Sequence, residues 1–261
     1  MTKKLLLPVF LLGIQNCFSQ SIFQLAPPLL KYKSVFFSGS TSFEVIFNQP
    51  GAEVHYTMNG NEPTENDPLY SSAVTVTKRE QVKAKAFGKN FLPSETVYAL
   101  FVKDGKAIRR IQYSTPNESY AKSKEDILND NIGGVVNYHS GEWLGYDSDT
   151  VTITIDLEKK EVIKTVLINL LQDEKSWIFL PEQVLVYYYN DRQKTFLETG
   201  RKDFLHETAD PKQCNMQELN PAQKIKTNKL KLVLLPLKKI PDWHNGKGNH
   251  GWLFIDEIKV Y

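Results

Sequence analysis

Apolar and polar residues alternate with a period of two along most of the chain after residue 20. Alternation of this kind is typical of β-strands that bury one face. Segments rich in Gly, Pro, Asn and Asp separate the alternating runs, and no segment has a long apolar stripe at helical spacing. The clearest runs are SFEVIFNQ, EVHYTMNG, QVKAKAFG, TVYALFVK, TVTITIDL, EQVLVYYYN, NKLKLVLLPL and LFIDEIKVY. The pattern predicts an all-β protein of the sandwich or barrel type.

The strands fall into two units joined by a short connection. The first unit runs over residues 25–104, the connection over 105–116 and the second unit over 117–261. Each unit is long enough to enclose a core of its own. Because no low-complexity linker separates them, we expect the two units to pack against each other.

Residues 1–20 have the layout of a secretory signal peptide. A basic start, MTKK, precedes an apolar run over residues 5–14 and then a polar stretch. The apolar run is too short to span a bilayer, and no transmembrane segment is predicted. We expect cleavage near Gln20 or Ser21, and hence a protein that is secreted, periplasmic or on the cell surface. Cys17 is not preceded by the small residues of a lipid-attachment signal, so a lipoprotein is not expected.

Composition excludes some classes of function. The net charge is +2 with acidic and basic residues interspersed, so the chain lacks the basic stripe that nucleic acid requires. Aromatic residues make up 11% of the chain, enough for sandwich cores and for surfaces that stack on sugar rings. After signal cleavage Cys214 is the only cysteine, so we expect no internal disulfide bond and no cysteine nucleophile.

The first unit carries a specific motif over residues 52–103: a strand, an Asn59-Gly60 turn, a proline-stiffened loop and the strand VKAKAFG. The motif resembles the small immunoglobulin-like domain found at the C-terminal end of chitobiases and β-hexosaminidases. The matching residues are Tyr56, Thr57, Gly60, Pro63, Thr64, Tyr70, Lys83, Ala84, Ala86 and Phe87. The resemblance implies an Ig-like β-sandwich that acts as a non-catalytic spacer or packing module.

The second unit resembles a discoidin-like β-sandwich, the galactose-binding-like jelly roll of coagulation factor 5/8 type C domains and many sugar-binding modules. The resemblance lies in VTITIDL, LPEQVLVYYYND and the terminal DEIKVY. NYHSGEWLGY, LQDEKSWIFLP and PDWHNGKGNHGWLFIDEI are most similar to the discoidin-like domain that follows the Ig-like spacer in some bacterial β-hexosaminidases. The catalytic barrel of those enzymes needs about 200 residues or more, which this chain does not hold beside the two units. The resemblance therefore implies an accessory region and not an enzyme.

Loops at one end of such a sandwich are implied to hold a sugar. Aromatic rings pack on the C–H face of a pyranose, and neighbouring polar groups fix its hydroxyls. The candidate ligand-binding residues are Tyr138, His139, Trp143, Trp177, Trp243 and His244. Trp143 and Trp243 lie in polar, Gly-containing loops and are the stronger candidates, whereas Trp177 and Trp252 head apolar strands and also fit a core role.

The same resemblance implies a structural Ca²⁺ ion where the first loop of the second unit meets the final strand. The segment LNDNIGG would supply the Asp130 side chain and the Gly133 carbonyl, and Glu257 would be the acidic partner. The alternative is a turn aspartate beside a solvent-facing glutamate.

The final segment also holds residue types that occur in zinc sites and in glycosidase active sites. His244, His250 and Asp242 are residue types that bind zinc, but they lie on a Gly-rich loop and not on one face of a helix. Asp256 and Glu257 are adjacent in a strand, so they are expected to point to opposite faces. That orientation does not form the facing carboxylate pair, roughly 5–9 Å apart, of a glycosidase.

These observations predict a secreted, non-catalytic protein whose second unit binds a carbohydrate or the glycan of a glycoprotein. The alternative is an assembly role, in which the chain docks onto an envelope protein partner without affinity for sugar. A concave site that mixes aromatic rings with His, Asp and Asn favours sugar, whereas a large aromatic patch without polar partners favours docking. Residues 201–225 form a polar insert with no predicted role.

Overall fold

The computed structural model of the protein describes residues 23–121, 126–207 and 212–261. The predicted signal peptide, residues 1–20, lies outside the described residues. Strands dominate, and the helices of the described part are three 3-10 turns, Glu118–Tyr120, Ile127–Asn129 and Glu174–Ser176. None of them has the length and apolar character needed to cross a membrane. The all-β prediction is confirmed.

Two sheets and a short strand pair build the first unit. Its strands within the described residues are β1 (Phe23–Gln24), β2 (Leu29–Lys31), β3 (Phe36–Phe37), β4 (Thr41–Ile46), β5 (Ala52–Thr57), β6 (Val74–Val76), β7 (Glu80–Gly88), β8 (Phe91–Leu92) and β9 (Val97–Lys103). One sheet has the order β3-β9-β7-β5 and the other β2-β4-β6, while β1 pairs in parallel with β8. As the alternation predicts, Val82, Ala84 and Ala86 of β7 all point into the core and are fully buried.

The second unit is a sandwich of a five-stranded and a four-stranded sheet. Its strands within the described residues are β10 (Ile108–Tyr113), β11 (Leu144–Tyr146), β12 (Val151–Ile163), β13 (Val166–Asp173), β14 (Gln183–Asn190), β15 (Thr195–Asp203), β16 (Lys212–Leu219), β17 (Ile225–Leu235) and β18 (Leu253–Val260). The sheet orders are β10-β12-β17-β14-β15 and β11-β18-β13-β16. Alternate residues of both sheets meet in one core, among them Ile153, Leu170, Leu232 and Ile255.

The predicted connection, residues 105–116, contributes a strand to the second sandwich. β10 pairs antiparallel with β12, with Ile111 opposite Ile155, and forms an edge of the five-stranded sheet. Ile108, Ile111 and Tyr113 pack on the core from this edge. The sequence IRRIQY does not predict a strand, because two consecutive arginines interrupt the alternation of apolar and polar residues. The interruption coincides with a bulge, where the pairing of β10 with β12 shifts register.

The two units meet on the outer face of the four-stranded sheet. Phe36 of β3, Val102 of β9 and Leu167 of β13 form a buried apolar cluster there, which we call the junction cluster. At its rim Arg79 of the first unit is ion-paired with Glu218 of β16. The expected packing of the two units against each other is therefore present, and it is apolar at its centre.

We expect Leu167→Ala to lower the free energy of unfolding by about 2–5 kcal/mol, because the truncation leaves a cavity in the junction cluster. Urea-induced unfolding measures this loss. Leu205, which is 84% exposed, supplies the matched control, since Leu205→Ala should change stability by less than about 0.5 kcal/mol. A loss at Leu167 no larger than at Leu205 contradicts this packing.

Candidate binding site

One end of the second sandwich gathers the connections that carry three of the six predicted ligand residues, Trp177, Trp243 and His244, and we call it the loop end. Its segments are residues 147–150, 174–182 and 236–252. The strand ends that they join lie side by side, because Tyr146 pairs with Leu253 and Val151 pairs with Leu234. The antiparallel register of both sheets therefore brings these loops together.

Trp177 and Trp243 present partly exposed indoles at the loop end, with exposed fractions of 36% and 37%. A Cβ atom on Gly246 would come within 2.7 Å of the Trp177 ring, so the glycine lets the last loop lie directly against that indole. The ring centroids of Trp243 and His244 are 5.6 Å apart and the planes are nearly perpendicular. The structure thus brings the Trp177 loop into contact with the loop that carries Trp243 and His244.

The backbone of Trp177 is left-handed, with φ 63° and ψ 22°. This conformation costs an L-residue about 1–2 kcal/mol. Two backbone hydrogen bonds of 2.8 Å hold it: the Trp177 N–H donates to the Glu174 carbonyl, and the Trp177 carbonyl accepts from the Trp252 N–H. Strain of this kind clusters at binding sites, so it supports a functional role for the ring that it displays.

Polar groups lie on the same loops as the indoles. The Gly246 N–H donates to Nδ1 of His244 at 3.0 Å, which leaves the proton of the neutral imidazole on Nε2. The His250 Nε2 atom lies 3.3 Å from Oδ1 of Asp149, whose side chain is largely exposed. Imidazole and carboxylate groups of this type donate to and accept from sugar hydroxyls.

Tyr138 and His139 belong to a second aromatic group beside the first. Their ring centroids are 4.0 Å apart, and Tyr120 packs between Tyr138 and Trp252 at centroid distances of 6.1 and 5.4 Å. The backbone hydrogen bond that the Trp252 N–H donates to the Trp177 carbonyl joins the two groups. Tyr120 was not predicted, because it lies in a short 3-10 turn outside any alternating segment.

Trp143 does not reach the surface, so the prediction that it contacts ligand is wrong. Its side chain is 1% exposed and packs with Leu171, Ile178 and Phe254. The indole N–H donates to the Val135 carbonyl at 3.0 Å. A Cβ atom on Gly134 would come within 2.3 Å of the ring, so this glycine creates the space that the indole fills.

Asp256 and Glu257 point to the same side of β18, and the expectation of opposite faces is wrong. The pairing of β13 with β18 shifts register between Ile168 and Leu170, which places two residues of β18 opposite Asn169 alone. Such a bulge turns consecutive side chains to one face. Both carboxylates accordingly accept backbone N–H groups from one loop, Asp256 from Gly134 and Glu257 from Asn131.

Both carboxyl groups of this pair are buried. Burial raises the pKa of Asp256 well above its usual range, although hydrogen bonds from Gly134 and Asn169 act in the opposite direction. Burial also raises the pKa of Glu257 to about 7, against the opposing Lys259 ammonium. Asp256 and Glu257 are 0% and 1% exposed, so this pair does not face a substrate cleft as the carboxylates of a glycosidase do.

The loop that carries Asp130 and Gly133 forms hydrogen bonds within itself and to the first unit. The Oδ1 atom of Asp130 accepts the N–H of Ile132 at 2.8 Å, which forms an Asx turn. The backbone of Gly133 faces the first unit, where its N–H donates to the Ser34 hydroxyl at 3.2 Å.

The third predicted ligand, Glu257, faces a lysine. Its Oε2 atom accepts the Asn131 N–H at 3.1 Å, and its Oε1 atom lies 2.8 Å from Nζ of Lys259. Calcium takes about six to eight converging oxygen ligands. Across the described ranges, no three His, Cys, Asp or Glu side chains gather in a metal-binding arrangement. Both oxygens of Glu257 thus face N–H groups as the residue is placed, which disfavours a Ca²⁺ ion bound to it.

The first unit has a recognised relative. Residues 33–99 match the family model of the chitobiase/beta-hexosaminidase C-terminal domain. The match covers the motif around Tyr56 and Gly60 and confirms the predicted resemblance. A search of curated proteins found no match.

Several solved structures are similar to the chain. The C-terminal domain of a chitobiase from Bacteroides fragilis is 16% identical, with a TM-score of 0.35, over 59% of this chain and 91% of that chain. The Clostridium perfringens protein CpGH89CBM32-6 is 15% identical, with a TM-score of 0.34, over 59% and 94%. A Ruminococcus gnavus GH29 fucosidase in complex with fucose is 15% identical, with a TM-score of 0.35, over 58% and 24%. The chain thus spans about a quarter of the fucosidase.

We expect Gly134→Ala to lower the free energy of unfolding by about 1–3 kcal/mol, because its Cβ would overlap the Trp143 ring. Trp143→Phe removes the overlapping part of that ring, so the double variant should lose less than the two single losses added together. A double-mutant cycle in urea measures the coupling. Strictly additive losses contradict the contact.

We expect Trp177→Gly to be more stable than Trp177→Ala by about 1 kcal/mol, because both lose the indole but only alanine keeps the cost of the left-handed backbone. Chemical denaturation of the two variants under one set of conditions gives the difference. An alanine variant as stable as the glycine variant, or more stable, contradicts the left-handed assignment.

Proposed function

We propose that this protein is a non-catalytic carbohydrate-binding protein and that the loop end of its second sandwich holds the ligand. The observation that carries the proposal is the pair of partly exposed indoles, Trp177 and Trp243, on two loops in contact. The first unit serves as a spacer and packing partner.

The chemistry of the loop end suits a sugar ring. A pyranose offers a C–H face that packs on a flat aromatic ring, and hydroxyls that need donors and acceptors at its rim. Trp177 and Trp243 supply rings, while His244 through Nε2–H and Asp149 through its carboxylate supply polar partners on the neighbouring segments.

The proposal also covers the class of glycan that is bound and the cellular location of the protein. Residues 33–99 match an accessory domain of chitobiases and β-hexosaminidases, which supports a place among glycans. We propose amino-sugar or galactose-type glycans as the ligand class. The signal-like residues 1–20 support action outside the cytoplasm, as a secreted, periplasmic or surface protein.

A second candidate function, docking onto an envelope protein, is favoured by one observation. A cleft of about 450 Å³ lies between the two units and is lined mainly by apolar side chains, including Val135, Met216 and Tyr98. Tyr98 and Val135 are 64% and 58% exposed. Apolar patches of this kind mark protein contacts when they are large.

A glycan array probed with the mature chain tests the two functions. We expect selective binding to amino-sugar or galactose-type glycans, because the indoles offer stacking faces. Trp243→Ala should weaken this binding about tenfold or more, equivalent to about 1.4 kcal/mol. Gly246→Ala should weaken it as well, because the new Cβ displaces the Trp177 ring.

Tyr98→Ala is the matched control, since it removes an exposed aromatic ring of the first unit away from the loop end. Binding that survives Tyr98→Ala and is lost in folded Trp243→Ala supports the site. Absence of binding by folded wild-type protein at high concentration contradicts the sugar function and favours docking. Equal loss in both variants contradicts the placement at the loop end.

A further inference from the structure

A buried lysine lies where the two units meet the end of the chain. Lys259 is 2% exposed, although lysine is rarely buried without a partner. Its ammonium lies 2.8 Å from Oδ1 of Asp104 and 2.8 Å from Oε1 of Glu257. It also donates to Oδ1 of Asn129 at 3.1 Å. Three oxygens from three segments therefore converge on one nitrogen.

These oxygens are of the type that a hard cation prefers, namely two carboxylates and an amide carbonyl. In the described part of the chain, Lys259 is the one lysine or arginine within 4.0 Å of either carboxylate. The side-chain amide of Asn131 also donates a hydrogen bond to Oδ2 of Asp104, at an Nδ2–Oδ2 distance of 3.3 Å. The site thus has the character of a cation site, and an ammonium occupies its centre.

We propose that the Lys259 ammonium is the resident cation of this site and joins the two sandwiches without a divalent metal ion. Asp104 directly follows β9, the last strand of the first unit, while Glu257 and Lys259 lie on β18 of the second. One charged group therefore links the units and neutralises the buried Glu257.

The position of Lys259 follows from the bulge in β18. The bulge turns Glu257 to the outer face, and Lys259, two residues further on, points to the same face. Lys259 lies opposite Leu167 in the strand pairing, so it emerges beside the junction cluster. A straight strand that continued the alternation of Leu253 and Ile255 would have turned both Glu257 and Lys259 into the core, away from Asp104 and Asn129.

The first test measures the melting temperature of the full chain in EDTA and in CaCl₂. At about 5 mM Ca²⁺, a site with a dissociation constant of about 1 mM would raise the melting temperature by about 2–4 °C. We expect a change of less than about 1 °C, because the ammonium already fills the site. A rise of several degrees that Glu257→Gln removes would overturn the proposal.

The second test removes the cation. Lys259→Met keeps the apolar stem but leaves buried Glu257 without its partner, so we expect the melting temperature to fall by roughly 6 °C or more. Lys159, which is 80% exposed and paired with Glu161, supplies the matched control. Lys159→Met should change the melting temperature by less than about 2 °C. Equal effects at the two lysines would overturn the proposal.

A double variant separates the charge from simple packing. Because the cost of Lys259→Met lies in the unpaired carboxylate, adding Glu257→Gln should recover part of the lost melting temperature. A further loss in the double variant would overturn the proposal. Where Lys259→Met alone yields no folded protein, the proposal requires that the double variant fold, and failure of both contradicts it.

Discussion

The bulge in β18 is the constraint on which the outer face of the second sandwich depends. By turning both Asp256 and Glu257 outward, it offers two buried carboxylates to the backbone N–H groups of Asn131 and Gly134. The loop that these bonds hold then covers the sheet and places Gly134 under the Trp143 ring. A local irregularity of one strand thus organises a loop more than a hundred residues away in the sequence.

The regular parts of the fold were open to prediction because period-two alternation depends on neighbouring residues alone. β7 and β12 follow their sequence patterns through to the core. β10 and β16 are edge strands whose polar sequences, IRRIQY and KQCNMQEL, carry little alternation, so the sequence predicts a connection at β10 and an insert of no assigned structure at β16. An edge strand buries less surface, and its pattern is correspondingly weak.

The candidate site was less predictable, since its features arise from contacts between distant segments. Trp143 stands in a polar loop and Trp177 before an apolar run, yet Trp143 is buried and Trp177 is partly exposed. The difference comes from the space above Gly134 and from the left-handed backbone at Trp177, neither of which a local pattern encodes. The Lys259 contacts are equally long-range, because Asp104 and Asn129 reach the ammonium from two other segments.

The junction also decides how mechanical force would pass through the molecule. β13 and β18 occupy the middle of the four-stranded sheet, with β11 and β16 outside them. Leu167 lies on β13 and Lys259 on β18, so the first unit is anchored to the two central strands. A pull applied to the first unit would therefore be shared between two routes: the chain itself, which leads from β9 into the edge strand β10, and the junction, which loads central strands that are each bonded on both sides.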